Sequence, residues 1–154
     1  MGADRRPQRG RGRPLTVTNR PVPVPDEVSA EFWTAAAAHR FILARCARCG
    51  RLSHPPDTVC PQCGSVDPAF AFEPVDGGGT IRSWTVMRQS FLPGFDVPFV
   101  LVDVELLAQV DLRLIGRLID GPDVPLRVGA PVRMVFEDLM PGVAVPAFEL
   151  EVRS

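Results

Sequence analysis

The chain has 154 residues, 45% of them apolar and 23% charged, a globular composition too apolar for a chain without a core. No run approaches the roughly 18 apolar residues of a membrane span, and no apolar segment follows the Arg-rich start. Neither a span nor a secretory signal is therefore expected, and a cytoplasmic protein is. The 17 basic residues, all arginine, nearly balance 18 acidic ones, but they are segregated. Residues 1–20 hold six arginines against Asp4, a net of +5, and the rest of the chain carries −6. A body of that sign argues against nucleic-acid binding.

Residues 1–25 contain Pro7, Pro14, Pro21, Pro23 and Pro25 and almost no large apolar side chain. Such a stretch cannot offset its ordering entropy, so a disordered Arg/Pro-rich tail is expected. A helix follows over Asp26 to about Arg40, with acids at its start and Ala35 to Ala38 as strong helix formers. Phe32 and Trp33 share a face with small residues. They either pack on the body or line an apolar groove for a ligand or partner.

The most specific motif is Cys46-x-x-Cys49-Gly50 followed by Cys60-x-x-Cys63-Gly64. Two residues between thiols let one tight turn aim both sulfurs at one point, and the glycine relieves the backbone where the turn needs positive φ. Two such knuckles give four thiolates in a tetrahedron, the ligand set of structural Zn²⁺, with iron the chemical alternative. All four cysteines of the chain are used, and a closed shell leaves no position for water, so the metal is expected to be structural. His54, between the knuckles, is expected as a loop side chain. His39, near the helix end, is expected to favour the helix dipole. No nucleophile–base motif or phosphate-binding loop is present, and no catalytic residue is assigned.

From Ala69 onward the apolar pattern has period two. Strands are expected over 69–73, 80–88, 99–106, 112–118, 132–137 and 148–152, with Gly77-Gly78-Gly79 as a turn. Alternating wet and buried faces on short strands indicate an antiparallel sheet closed into an OB-fold barrel. Its ligand edge would be the loops 89–98 and 138–146. These carry Phe91, Leu92 and Phe95 on one side and Leu139, Met140, Val143 and Val145 on the other, with no base between 89 and 98 or between 138 and 146. A nucleic-acid edge would need bases and stacking rings. Apolar loops suggest an acyl chain or a protein partner instead, unless they plug the barrel ends.

The order of these features resembles one family. Phe32-Trp33, then Cys46-x-x-Cys49-Gly50…His54-Pro55-Pro56…Cys60-Pro61-x-Cys63-Gly64-Ser65, then Gly79-Thr80-Ile81-x-Ser83-Trp84-Thr85-Val86 is similar to the zinc-ribbon plus OB-fold proteins that accompany thiolase-like enzymes. These proteins were long classed as a domain of unknown function. The resemblance covers about residues 28–152. It implies an accessory subunit for acyl-CoA chemistry in lipid metabolism, steroid side-chain degradation included. Such a subunit works as a hetero-oligomer with a thiolase, hydroxymethylglutaryl-CoA synthase or steroid side-chain aldolase and helps to bind the acyl-CoA. Two positions depart from the family: His54 stands where an aromatic is usual, and Asp57 where Arg is common.

The expected fold is thus mainly β: a tail over 1–25, a helix with a rubredoxin-like four-cysteine zinc ribbon over 26–68, and a small OB-fold barrel over 69–154. The expected ligands of Zn²⁺ are Cys46, Cys49, Cys60 and Cys63. The candidate acyl-CoA or partner groove is Phe32, Trp33, Phe91, Phe95 and Met140. A nucleic-acid-binding ribbon/OB module is the competing reading, against which the charge distribution stands.

Overall fold

The computed structural model describes residues 19–151. The expectation of a tail falls outside these for residues 1–18, as does Val152 at the end of the last expected strand. Residues 19–25, assigned to the tail, form no regular element and bend at Arg20, which is half-buried. Among the described residues no helix is long and apolar enough to cross a membrane.

Helix α1 spans Ala30–Ala37, shorter than the expected 26–40 at both ends. At its start Asp26 and Ser29 bond reciprocally: the Ser29 amide donates to Asp26 Oδ1 (2.8 Å) and the Asp26 amide to Ser29 Oγ (3.1 Å). That capped turn occupies residues 26–29. At its end His39 takes φ +54° while its amide reaches Ala36 O and the Arg40 amide reaches Ala35 O. This is a Schellman closure, which stops the helix before Arg40.

Two strands escape the period-two signal. β1 (Ile42–Arg45) pairs antiparallel with β2 (Leu52–Ser53) and with β3 (Ala71–Pro74), in the order β2-β1-β3. Ile42, Leu43 and Ala44 are all buried, so β1 does not alternate, and β2 has only two residues. β3 falls within the stretch expected to begin the barrel, yet it hydrogen-bonds to the ribbon strand β1.

The barrel is formed by β4 (Gly78–Met87), β5 (Phe99–Leu106), β6 (Arg113–Leu118), β7 (Pro131–Met140) and β8 (Val143–Leu150). It closes in the order β4-β5-β6-β8-β7, with β7 pairing back onto β4 and only β6–β8 parallel. This is the OB topology. Gly77-Gly78-Gly79 is not a free turn. Gly78 and Gly79 open β4, and a Cβ on Gly79 would lie 2.4 Å from Val104 Cγ1, one on Gly77 2.6 Å from Met134 Cβ. The glycines permit the close strand approach at the seam.

The expected loop over 138–146 is replaced by a hairpin. β7 runs to Met140 and β8 starts at Val143, joined by Pro141-Gly142 with Gly142 at φ +77°. Pro146, which reads as a loop marker, is accommodated because β8 meets β6 only from Ala147 on. The loop over 89–98 lies where expected, between β4 and β5.

Ribbon, helix and barrel share one core, in which Phe32, Leu43 and Leu52 join Ile81, Val102 and Phe148. Polar contacts lock the ribbon to the barrel as well. The Leu52 amide donates to Gln109 Oε1 (2.8 Å) and Gln109 Nε2 donates to Leu52 O (3.1 Å), while Arg51 Nη2 donates to Val110 O (3.1 Å). Leu52 is buried, so losing this partner leaves two backbone groups unsatisfied. Gln109→Ala is expected to lower stability by about 2 kcal/mol, roughly one per hydrogen bond, measured by urea denaturation. An unchanged midpoint would show that water replaces the amide.

Candidate metal centre and apolar surfaces

The two knuckles are built alike. The Cys46 amide donates to Arg51 O and the Gly50 amide to Cys46 O, and the Cys60 amide donates to Ser65 O and the Gly64 amide to Cys60 O. Gly50 and Gly64 take φ +72° and +71°, a backbone that side-chain-bearing residues rarely adopt. The four sulfurs of Cys46, Cys49, Cys60 and Cys63 lie within 4.8 Å of one another, and Cys49 Sγ and Cys60 Sγ are 3.8 Å apart. A tetrahedron with Zn–S near 2.3 Å has S···S edges of about 3.8 Å, so this donor set fits the metal. Cys46 and Cys60 are buried and Cys49 and Cys63 are exposed. The Arg48 amide donates to Cys46 Sγ (3.4 Å).

The thiols differ electrostatically. Burial raises Cys60, but hydrogen bonds from the Cys63 and Gln62 amides and the neighbouring thiols outweigh it and bring Cys60 to about 7. At Cys63 the Ser65 amide lowers the value, while burial and the other thiols push it up to about 11. Four sulfurs this close cannot all ionise unless a cation stands between them. Outside the knuckles, Arg45 pairs with Glu73 (2.5 Å) and Arg48 with Asp67.

Neither histidine joins the sulfurs. His39 Nε2 lies 2.7 Å from Asp138 Oδ1 and its ring stacks on Phe136 at 5.5 Å, so it ties the helix end to β7. His54 packs its ring 4.8 Å from Phe32, its Nδ1 is buried without a partner, and desolvation pulls its pKa from 6.5 to about 4.

The five expected groove residues do not form one groove. Phe32 is 3% exposed and belongs to the core, where Trp33 meets it edge-on at 5.0 Å. Trp33 lines an open cleft of about 190 Å³ with Pro23, Pro25, Ala30, Thr34 and the hairpin residues Gly142 to Ala144. Met140 is half-exposed at the end of β7. Phe95 stacks on Phe99 (5.2 Å) and carries the Arg20 guanidinium 4.7 Å from its centroid. Phe91 projects into solvent, 97% exposed. The role of Arg20 was not foreseen, because nothing in the sequence separates it from the other arginines of residues 1–20.

Ribbon and barrel geometry define a class, a rubredoxin-like zinc ribbon joined to an OB-fold. Residues 33–68 match the rubredoxin-like zinc ribbon domain of ChsH2 and residues 72–137 its C-terminal OB-fold domain. The chain belongs to this ChsH2, or DUF35, family. It is similar to a chain of the solved Ltp2-ChsH2(DUF35) aldolase, with a TM-score of 0.73 and 31% identity, covering 84% of this chain and 99% of that one. A DUF35 protein of unknown function from Sulfolobus solfataricus shares the fold at a TM-score of 0.54 and 13% identity, over 81% of this chain and 86% of that one. Among curated proteins, it is 32% identical over 131 residues to a probable enoyl-CoA hydratase alpha subunit of Thermomonospora curvata. It is 34% identical over 110 residues to the 3-oxo-4,17-pregnadiene-20-carboxyl-CoA hydratase alpha subunit of Mycobacterium tuberculosis. These matches cover 84% and 71% of this chain, which spans 39% and 34% of those two proteins.

The depressed His54 predicts an acid-sensitive fold. Below pH 6.5 the unfolded chain takes up a proton that the folded chain, titrating near 4, refuses. The contribution of His54 is therefore flat above about pH 7 and falls as pH drops toward 4. Between pH 7 and pH 5 the loss from this residue is about 2 kcal/mol. His54→Phe should lose that much less over the same interval in denaturant titrations. Equal losses would place the ring in water.

Proposed function

We propose that this chain is a non-catalytic subunit of an acyl-CoA-processing enzyme, of the thiolase-like aldolase kind in steroid side-chain or related lipid degradation. The observation that carries the reading is the likeness, over 99% of its length, to a chain of the Ltp2-ChsH2(DUF35) aldolase. The matches to hydratase alpha subunits support a hydratase-type partner as the second reading. In either case the chemistry resides on the partner. Among the described residues the histidines are committed to Asp138 and Phe136 and to Phe32, and the thiols to one another.

Cys46, Cys49, Cys60 and Cys63 would hold Zn²⁺. Bound there, the ion supplies a structural cross-link and no open coordination position. The Trp33 cleft has no charged lining, which suits an acyl segment or an apolar side chain rather than the CoA phosphates. Nucleic-acid binding is disfavoured by the barrel itself. Arg82, Arg113, Arg117 and Arg133 are ion-paired to Glu105, Asp103, Glu137 and Glu149, which leaves their charge balanced.

Co-expression with the acyl-CoA-processing enzyme encoded beside this chain should give a stable complex on size exclusion. The isolated chain should neither cleave nor hydrate an acyl-CoA. Binding of single-stranded DNA with no such complex would overturn the reading. The metal has its own test. The purified chain should carry one zinc per chain, and Cys46→Ser with Cys60→Ser should release it and lower the melting temperature. Partner activity should fall only as far as folded protein is lost. A folded, metal-free variant that abolishes activity would contradict a structural role, and a red, iron-loaded protein would replace zinc by iron.

A further inference from the structure

OB barrels take their ligands along an edge built by the loops that join the first strand to the second and the fourth to the fifth. In this barrel those are the connection between β4 and β5 and the Pro141-Gly142 turn between β7 and β8. Residues 19–25 of the chain itself reach both. At one end the backbone of Asn19 and Arg20 crosses Gly94 so closely that a Cβ there would lie 2.4 Å from Arg20 N and 2.6 Å from Asn19 C. From that crossing Arg20 lays its guanidinium over Phe95, 4.7 Å from the ring centroid, and reaches Glu137 Oε1 of β7 at 3.4 Å. The Arg20 and Glu137 side chains are only 14% and 15% exposed, and Arg117 Nε holds the same carboxylate oxygen at 2.9 Å. At the other end Pro23 and Pro25 face Trp33 of α1 and the hairpin residues Gly142 to Ala144 across the cleft of about 190 Å³.

We infer that residues 19–25 are the occupant of this edge. They form a strap that lies where an OB barrel takes an external ligand, and Arg20 is its positioning residue. The fit is specific at both ends. The loop has no side chain at Gly94, where the strap crosses it, and it offers the guanidinium a ring face beside a carboxylate. Pro21, Pro23 and Pro25 have no amide donor, so they lie beside apolar surface without stranding an N–H. Between the two ends Val22 is 40% exposed and Val24 88%, so the strap is held at its ends rather than along its length. Two consequences follow for recognition. A ligand that used this edge would have to lift the strap. The Trp33 cleft is a composite site, one wall of which stands only while Arg20, which does not line it, is seated.

Fluorescence of the full chain tests the inference without any partner. The chain has two tryptophans, Trp33 and Trp84, and no tyrosine, so Trp84→Phe leaves Trp33 as the only indole. Acrylamide quenching of its emission then reads whether the strap stands beside the ring. Arg20→Gln should raise the quenching constant about two-fold at temperatures where the barrel stays folded and zinc content is unchanged, because the strap loses its anchor. Arg20→Lys, which keeps the charge, should recover part of the difference. Gly94→Ala should raise quenching as well, since its Cβ would displace the Arg20 backbone. Gly129→Ala is the control for backbone strain: Gly129 has φ +80° with nothing within 4 Å of an added Cβ, so quenching should stay unaltered. Arg20→Gln added to Gly94→Ala should change little further, since both act through one strap. Unchanged quenching in both Arg20→Gln and Gly94→Ala would overturn the strap. A rise in Gly94→Ala alone would overturn only the role of Arg20. An equal rise in Gly129→Ala would trace the effect of Gly94→Ala to strain and remove its support. Each of these failures leaves the proposed function standing.

Discussion

Four sulfurs held within 4.8 Å of one another are the constraint on which the N-terminal half of the molecule depends. Thiols that close repel once ionised, so the arrangement needs two matched turns, two left-handed glycines and a cation to persist. The ribbon has little apolar mass of its own to offset that. Ile42, Leu43 and Ala44 of β1 with Leu52 and the buried Cys46 and Cys60 are most of it, and the rest is borrowed from the helix and barrel through the shared core. The dependence runs outward: the knuckles fix β1 and β2, β1 recruits β3, and Phe32 and His54 close the space between ribbon and helix.

The features that could be read from the sequence are those set by local spacing. The two C-x-x-C-Gly knuckles are legible because a tight turn is a matter of a few covalently adjacent residues. Most barrel strands are legible because one face is wet, as in β5 and β6, where buried and less buried residues alternate. β1 was not legible, since Ile42 to Ala44 are buried without alternation. The hairpin over 138–146 reads as a loop because Pro141-Gly142 and Pro146 carry loop chemistry, while only the pairing of β7 with β8 shows that the strands continue through it. The site divides the same way. The four cysteines meet as their spacing requires, whereas the aromatic residues scatter among the core, a cleft and a projecting loop, because their neighbours come from distant parts of the chain.

The charge segregation has a structural counterpart. The acidic excess of the body is spread over strands whose arginines are paired across the sheet, so the barrel surface is one of balanced pairs around apolar exceptions. Exposed ion pairs of this kind add little stability. Their effect is on recognition: they remove the positive field a polyanion would follow, while apolar side chains such as Phe91, Leu92, Leu107, Val110 and Ile115 stay exposed beside them.

Gln109 has a further consequence. β2 is the outer strand of the three-stranded sheet, and the amide and carbonyl of Leu52 point away from β1 toward the Gln109 side chain. A strand edge with free groups is a template for a strand from another molecule. The carboxamide offers the same donor and acceptor as a peptide unit, so it ends the sheet as a neighbouring strand would while adding none. One side chain from the barrel thereby seals the open edge of the ribbon against edge-to-edge association.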